Sequence, residues 1–128
     1  MNSLLNPEFS TVKVIKKAWG GERISVNNSN YCGKVLFYNR AGAKSSLHFH
    51  LEKDETFTCI KGSFIFRYFN NQTGEKEQRI IGVYDVIRLR AGVPHQLEAL
   101  EDGSEIFEVS TFDDQLDIIR IEPGDNQR

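Results

Sequence analysis

The chain has little of what several common protein classes require. Only two cysteines occur in its 128 residues, Cys32 and Cys59, and they form no CxxC pair. A disulfide needs an oxidising compartment, to which nothing here points, so two buried free thiols in a cytoplasmic protein are expected. No apolar run approaches the length of a membrane span. Polar Asn2, Ser3, Asn6, Glu8 and Ser10 interrupt the segment from Met1 to Val14, so no signal peptide is expected. Neither charge sign dominates: 16 Lys and Arg face 18 Asp and Glu, for a formal net charge of -2. That balance argues against nucleic acid as a partner. No long stretch keeps a helical period, and no low-complexity segment or internal linker occurs.

What the chain does have suits strands. Its length fits one domain, 1–128, which buries roughly two-thirds of the surface the unfolded chain exposes. Nine Phe and four Tyr favour β structure. Short apolar-rich runs recur between turn signals: Tyr31 to Asn39, Ser46 to His50, Glu55 to Ile60 and Ser63 to Phe69. After the polar turn Asn70 to Gly74 come Lys76 to Ile81, Asp85 to Leu89, His95 to Leu100, Glu105 to Thr111 and Leu116 to Ile121. About nine to ten strands are predicted. An N-terminal strand region spans 11–26, the core spans about 31–111, and residues 122–128 form a loose polar tail. Beyond a turn near Asn6 to Phe9, no helix is expected. One closed or nearly closed β structure is the economical reading.

The chemistry lies in the histidines. His48 and His50 are two apart, so on a strand both side chains point to one face. Glu55 follows after the short turn Leu51 to Asp54, where the chain can reverse. His95 comes later, behind Gly92-Val93-Pro94. Imidazole nitrogens with one carboxylate oxygen suit a divalent Mn, Fe, Co, Ni or Zn ion, with open positions left for water or substrate.

The spacing runs Gly42, five residues, His48, one, His50, four, Glu55, six, Gly62. This resembles the first motif of the cupin superfamily at every position, and Gly92, two residues, then His95 matches its second motif in part. Tyr84, Arg90 and Ala99 stand where that second motif has Gly, Pro and Asn. The resemblance implies an all-β fold, a single double-stranded β-helix (cupin) barrel, with metal ligands His48, His50, Glu55 and His95 pointing inward.

A narrower likeness extends along nearly the whole chain. Lys17-Ala18-Trp19-Gly20-Gly21-Glu22 resembles the K-P-W-G-x-E opening of the cupin domain in type II mannose-6-phosphate isomerases, with Ala18 in place of Pro. Tyr31 to Lys34, Ser46-Leu47, Phe107 to Ser110 and Asp117-Ile118-Ile119-Arg120 are similar to further segments of that family. His48 occupies a position where those isomerases often carry Gln, and their nucleotidyltransferase domain has no counterpart here. The likeness implies a metal-dependent sugar or sugar-phosphate isomerase or epimerase, in which a metal polarises the oxygens of an open-chain sugar and stabilises an enediolate.

With the four ligands assigned to metal, another group must carry the proton. Lys53, which resembles a basic residue of the family motif, is the candidate general base. Arg120 and Lys34 are candidates for holding a phosphate or carboxylate. Arg88 would supply an anion contact if it pointed inward, although solvent is the expected destination of its face. Trp19 can stack on a sugar or pack as a lid, and packing is favoured. An iron-dependent dioxygenase, or a non-catalytic carbohydrate-binding module, would use the same ligand set. A homodimer paired through the N-terminal strand, Thr11 to Lys16, is the expected assembly.

Overall fold

The computed structural model describes residues 5–125. Alternation sets its architecture. In Cys32–Tyr38 every second residue, Cys32, Lys34, Leu36 and Tyr38, is buried, as a strand with one face on a core requires. Eleven strands result: β1 (Lys13–Lys17), β2 (Gly20–Asn27), β3 (Cys32–Tyr38), β4 (Leu47–Phe49), β5 (Glu55–Lys61), β6 (Ser63–Phe69), β7 (Lys76–Gly82), β8 (Val86–Leu89), β9 (His95–Ala99), β10 (Ser104–Ser110) and β11 (Ile119–Glu122).

These strands form two antiparallel sheets. One has six strands in the order β1-β2-β3-β10-β5-β8, and the other has five in the order β11-β4-β9-β6-β7. Their inner faces enclose one apolar cluster. Leu36, Tyr38, Phe57, Cys59 and Ile106 come from the larger sheet, and Phe64, Phe66, Leu97 and Ala99 from the smaller. No described residue lies in an α-helix, and no helix is long and apolar enough to cross a membrane. Cys32 and Cys59 are buried free thiols.

Within the N-terminal strand region 11–26 the chain forms a hairpin, with β1 and β2 reversing at Ala18-Trp19. The last strand starts at Ile119 and not at Leu116, because a turn closed by Asp117 N–H on Asp114 C=O, 2.9 Å, occupies the preceding residues. The tail is tied down as far as Asp125. Its carboxylate accepts from Lys44 N–H at 3.0 Å and Arg40 at 3.1 Å, and its own N–H donates to Lys44 C=O. Asn6 is a bend and residues 7–12 carry no regular structure.

Tyr84, which stands where the second cupin motif has Gly, keeps the backbone of a glycine: its φ is 76°. A left-handed turn is therefore made there without the usual residue. Tyr84 N–H donates to Cys59 C=O at 2.8 Å, and Asp85 accepts from Gly82 N–H at 2.9 Å. The turn is held by hydrogen bonds, and the tyrosine ring projects into solvent.

The larger sheet is apolar on its outer face as well. Val35 and Phe37 of β3 lie beside Phe107 and Glu105 of β10, between the inward residues of the same strands. Phe107 and Val109 are 41% and 45% exposed. Beside Phe37, Arg23 pairs with Glu105 at 3.1 Å, and its guanidinium lies over the Phe37 ring.

The two glycines that bracket the first motif differ in what they tolerate. Gly42 has φ 86° and open space where a side chain would go. Gly62 has φ 71°, and a Cβ there would collide with the Ser104 hydroxyl. Gly42→Ala should therefore cost only the left-handed penalty, about 1–2 kcal/mol. Gly62→Ala should lose clearly more in urea unfolding, and equal losses would contradict this packing.

Candidate metal centre

The three histidines meet because the strands carrying them are neighbours. His48 on β4 is the direct cross-strand partner of His95 on β9, and Arg120 on β11 faces His48 from the other side. His50 lies just past the end of β4. Ring centroids are 4.7 Å apart for His48 and His95, 5.0 Å for His48 and His50, and 5.9 Å for His50 and His95. One ligand nitrogen from each lies within 4.8 Å of the others. Glu55, first residue of β5, brings its carboxylate from the opposite sheet. Glu55 Oε2 is 3.3 Å from His50 Nε2 and 3.2 Å from His95 Nε2.

Hydrogen bonds orient all three rings. His50 Nδ1 is 2.6 Å from Asp117 C=O, His95 Nδ1 is 2.9 Å from Val93 C=O, and His48 Nδ1 is 3.0 Å from Ser46 C=O. A carbonyl only accepts, so each Nδ1 donates to it and leaves Nε2 as the ring atom able to ligate. This is the arrangement metal-binding histidines adopt. Burial, with the neighbouring His95 and His50, pushes the His48 imidazole down to about 3, so it is neutral. Burial works against the charged form of His50, but Glu55 and the Asp117 carbonyl raise it. Burial likewise opposes the charge of Glu55, yet the neighbouring His50, His95 and Lys53 hold it well below the usual carboxylate range.

Glu55 Oε2 and His95 Nε2 are buried and have no hydrogen-bond partner. Two acceptor atoms in contact with no proton between them is a costly arrangement. A cation between them removes the cost. The donor set, three imidazole nitrogens and one carboxylate, fits a divalent transition ion.

Beside the ligands runs a ladder of buried ion pairs. Lys53 Nζ is 2.7 Å from Glu108, 2.9 Å from Asp113 and 3.4 Å from Glu55. Lys34 Nζ is 2.8 Å from Asp113 and 2.6 Å from Glu22. Burial alone would lower both lysines, but the carboxylates raise them, with Glu108 the largest influence on each. Both are therefore fixed as ammonium ions.

The structure places Lys53 beside the histidine–glutamate cluster, where Glu108, Asp113 and Glu55 surround its ammonium. Lys34 is inside the barrel, with its charge already matched by Glu22 and Asp113. Arg88 is not brought to the site: it projects from the outer face of β8 and pairs with Asp54 at 2.7 Å. Trp19 packs, its ring stacked on Tyr38 at 4.6 Å and 5% exposed, while one edge lines the cavity. Arg120 lines the same cavity from its exposed side.

Four acidic residues had no role assigned from sequence. Glu22 and Glu108 fall inside the segments that resemble the isomerases, and strand alternation points both inward with Lys34 and Ile106. Asp113 and Asp117 lie in an irregular loop, where no periodicity marks them.

An antiparallel double-stranded β-helix with a histidine triad between its sheets is a cupin barrel. No known family profile matches the sequence, and no curated protein matches it. Among solved structures, oxalate decarboxylase from Bacillus subtilis at pH 4.6 superposes with a TM-score of 0.73 at 22% identity, over 86% of this chain and 30% of that one. A tryptophan-to-phenylalanine variant of that enzyme gives 0.74 at 22% identity over the same shares, 86% and 30%. The likeness is one of fold, and this chain spans under a third of the length of those proteins.

The ladder has a pH signature. Burial opposes the Asp113 charge, but Lys34 and Lys53 hold the carboxyl at about 2 against an ordinary 3.8. A carboxyl depressed in the folded state stabilises above its unfolded value, and that contribution is lost as pH falls through the folded value. Urea stability should therefore decline from about pH 4 towards pH 2, and Asp113→Asn should lower it at neutral pH and flatten the decline. A variant as acid-sensitive as wild type would contradict the assignment.

Proposed function

We propose that this chain is a metal-dependent isomerase or epimerase of sugars or sugar phosphates. The observation that carries the reading is the charged wall of the cavity: Glu22, Lys34, Lys53, Glu108 and Asp113 line it, with Arg120 on its exposed side. An apolar substrate would not pair with such a wall, whereas a polyhydroxylated one would hydrogen-bond to it. The cavity is small, about 90 Å³. It takes the reacting end of a sugar and leaves the remainder outside, where Arg120 meets a phosphate or carboxylate.

A divalent ion held by His48, His50, His95 and Glu55 would polarise the carbonyl and hydroxyl oxygens of the open-chain sugar. Lys53 and Lys34 contribute fixed positive charge beside the developing oxyanion. The proton between C1 and C2 falls to Glu108. Burial raises its carboxyl above the ordinary range, against the opposing pull of Lys34 and Lys53, and it lines the cavity beside both lysines, where a carboxyl can pass a proton to and from the substrate.

A second reading, metal-dependent chemistry on a small carboxylate with or without oxygen, draws support from the fold likeness to oxalate decarboxylase and from the Phe57 and Phe66 rings against His95, at centroid distances of 5.8 and 6.4 Å. Elemental analysis of wild type and His50→Ala, followed by sugar-phosphate and oxalate assays, separates the two. About one equivalent of metal, lost in the variant, is expected, with turnover of a sugar phosphate. Glu108→Gln should then keep its metal and KM while kcat falls about 100-fold or more. Turnover of oxalate, or oxygen uptake, selects the second reading, and a barrel that binds no metal refutes both.

The expected homodimer is proposed to use the apolar outer face of the larger sheet as well as the N-terminal strand. Phe107→Glu should convert a dimer to a monomer in sedimentation equilibrium. A wild-type protein that sediments as a monomer refutes the proposal.

A further inference from the structure

The Asp117-Ile118-Ile119-Arg120 segment has so far contributed one arginine to the cavity. Its first residue does more. The carboxylate of Asp117 accepts three consecutive backbone amides: Leu51 N–H at 2.7 Å on Oδ1, and Glu52 and Lys53 N–H at 3.2 and 3.1 Å on Oδ2. Those three residues are the turn that joins His50 to Glu55. The backbone carbonyl of the same residue fixes the His50 ring through Nδ1, at 2.6 Å. One residue, 62 or more positions away in sequence, thus holds both the ring of one metal ligand and the turn that sets its distance from another.

We propose that Asp117 is a positioning residue of the metal centre, which pre-organises His50 and the His50–Glu55 turn for a divalent ion. The proposal rests on the reading that the histidine–glutamate cluster binds metal. The turn's other anchors lie at its far end, where the Lys53 ammonium pairs with Glu108 and Asp113 and Asp54 is tied to Thr111 and Arg88. At its near end Leu51 is exposed, and the amides of Leu51, Glu52 and Lys53 share the Asp117 carboxylate. The far side of His50 is fixed as well, since its backbone carbonyl accepts from Gly92 N–H at 2.7 Å, in the loop that leads to His95. With Asp117 in place, His50 is held at its ring and at its backbone, and the loops that bring in Glu55 and His95 share that anchor. Without it, three amide groups of the turn lose their common acceptor and the carboxylate of Glu55 loses its fixed distance from His50.

The substitution to make is Asp117→Asn. An amide keeps the size but turns one acceptor oxygen into a donor facing amide N–H groups, while the backbone carbonyl to His50 remains. Asp114→Asn is the control. It lies in the same loop, where its carboxylate accepts only Leu116 N–H, and it touches neither ligand nor turn.

Zn²⁺ affinity is measured on the full chain by competition with a chromophoric chelator. The visible absorption of the Co²⁺ form and the melting temperature with and without Zn²⁺ are recorded alongside. Asp117→Asn should weaken Zn²⁺ binding about 10–100-fold, the range seen when outer partners of metal ligands are removed. It should also shift the Co²⁺ bands and shrink the melting-temperature gain on adding Zn²⁺. Asp114→Asn should leave all three unchanged. If Asp117→Asn does not fold, Asp117→Glu, which keeps the charge but displaces it by one methylene, takes its place with the same readouts.

Zn²⁺ affinity within twofold of wild type in the Asp117 variant, or melting temperatures lowered equally with and without metal, overturns the positioning role while the metal centre stands. A wild-type chain that binds neither Zn²⁺ nor Co²⁺ overturns the metal reading and this inference with it.

Discussion

Glu55 Oε2 and His95 Nε2 face each other across 3.2 Å of buried space with no hydrogen bond between them. Two lone pairs in a low-dielectric interior repel, and a protein removes such a contact unless something else holds the atoms there. Here the surroundings hold them firmly. His95 cannot rotate away without breaking its bond to the Val93 carbonyl, and Glu55 is bound through its other oxygen to Lys53. The strands supply the remaining constraint. β4 and β9 pair at His48 and His95, which fixes two rings on one sheet, while β5 presents Glu55 from the other. The fold therefore maintains an arrangement that is unfavourable by itself and favourable around a cation.

The buried ladder extends that logic outward. Glu22, Glu55, Glu108 and Asp113 are four carboxylates set against two ammonium groups, Lys34 and Lys53. With all of them ionised the cluster has two negative charges in excess, which one divalent cation neutralises. An unpaired charge at this depth would be far more costly than the ion pairs are stabilising. The ladder links β2, β3, β5, β10 and the loop holding Asp113, so it also fixes where the ligand Glu55 sits relative to the barrel wall. Positive charge contributed by lysines in this state offsets the carboxylates around them.

How much of this was legible in the sequence follows from which signals are periodic. The period-two pattern of β3, β5, β6 and β10 marks the core, and the spacing from Gly42 to Gly62 picks out His48, His50 and Glu55 before any coordinates are known. The same alternation turns Lys34 and Glu108 inward in the structure, but what they meet comes from other strands and carries no periodic signal. Lys53 could be located, but the three carboxylates around it could not. On β8 Ile87 and Leu89 turn to the core, so Arg88 lies on the outer face, where it pairs with Asp54. Trp19 sat in a stretch read as one strand region, so the turn that folds it onto Tyr38 was hidden.

Asp117 falls in a segment that resembles the isomerases, but the likeness gives it no role, because that role is carried by position and not by residue type. An aspartate in an irregular polar loop looks like surface. Its importance comes from the turn closed on Asp114, which points the carboxylate at three amides and the carbonyl at an imidazole simultaneously. Tyr84 illustrates the converse. A residue type that departs from the motif keeps the motif's backbone, because the hydrogen bonds of Tyr84 to Cys59 and of Asp85 to Gly82 hold the turn. In both places the backbone hydrogen bonds decide the geometry. The strands bring the ligands to the same place, and the loops between them set the distances at which those ligands can act together.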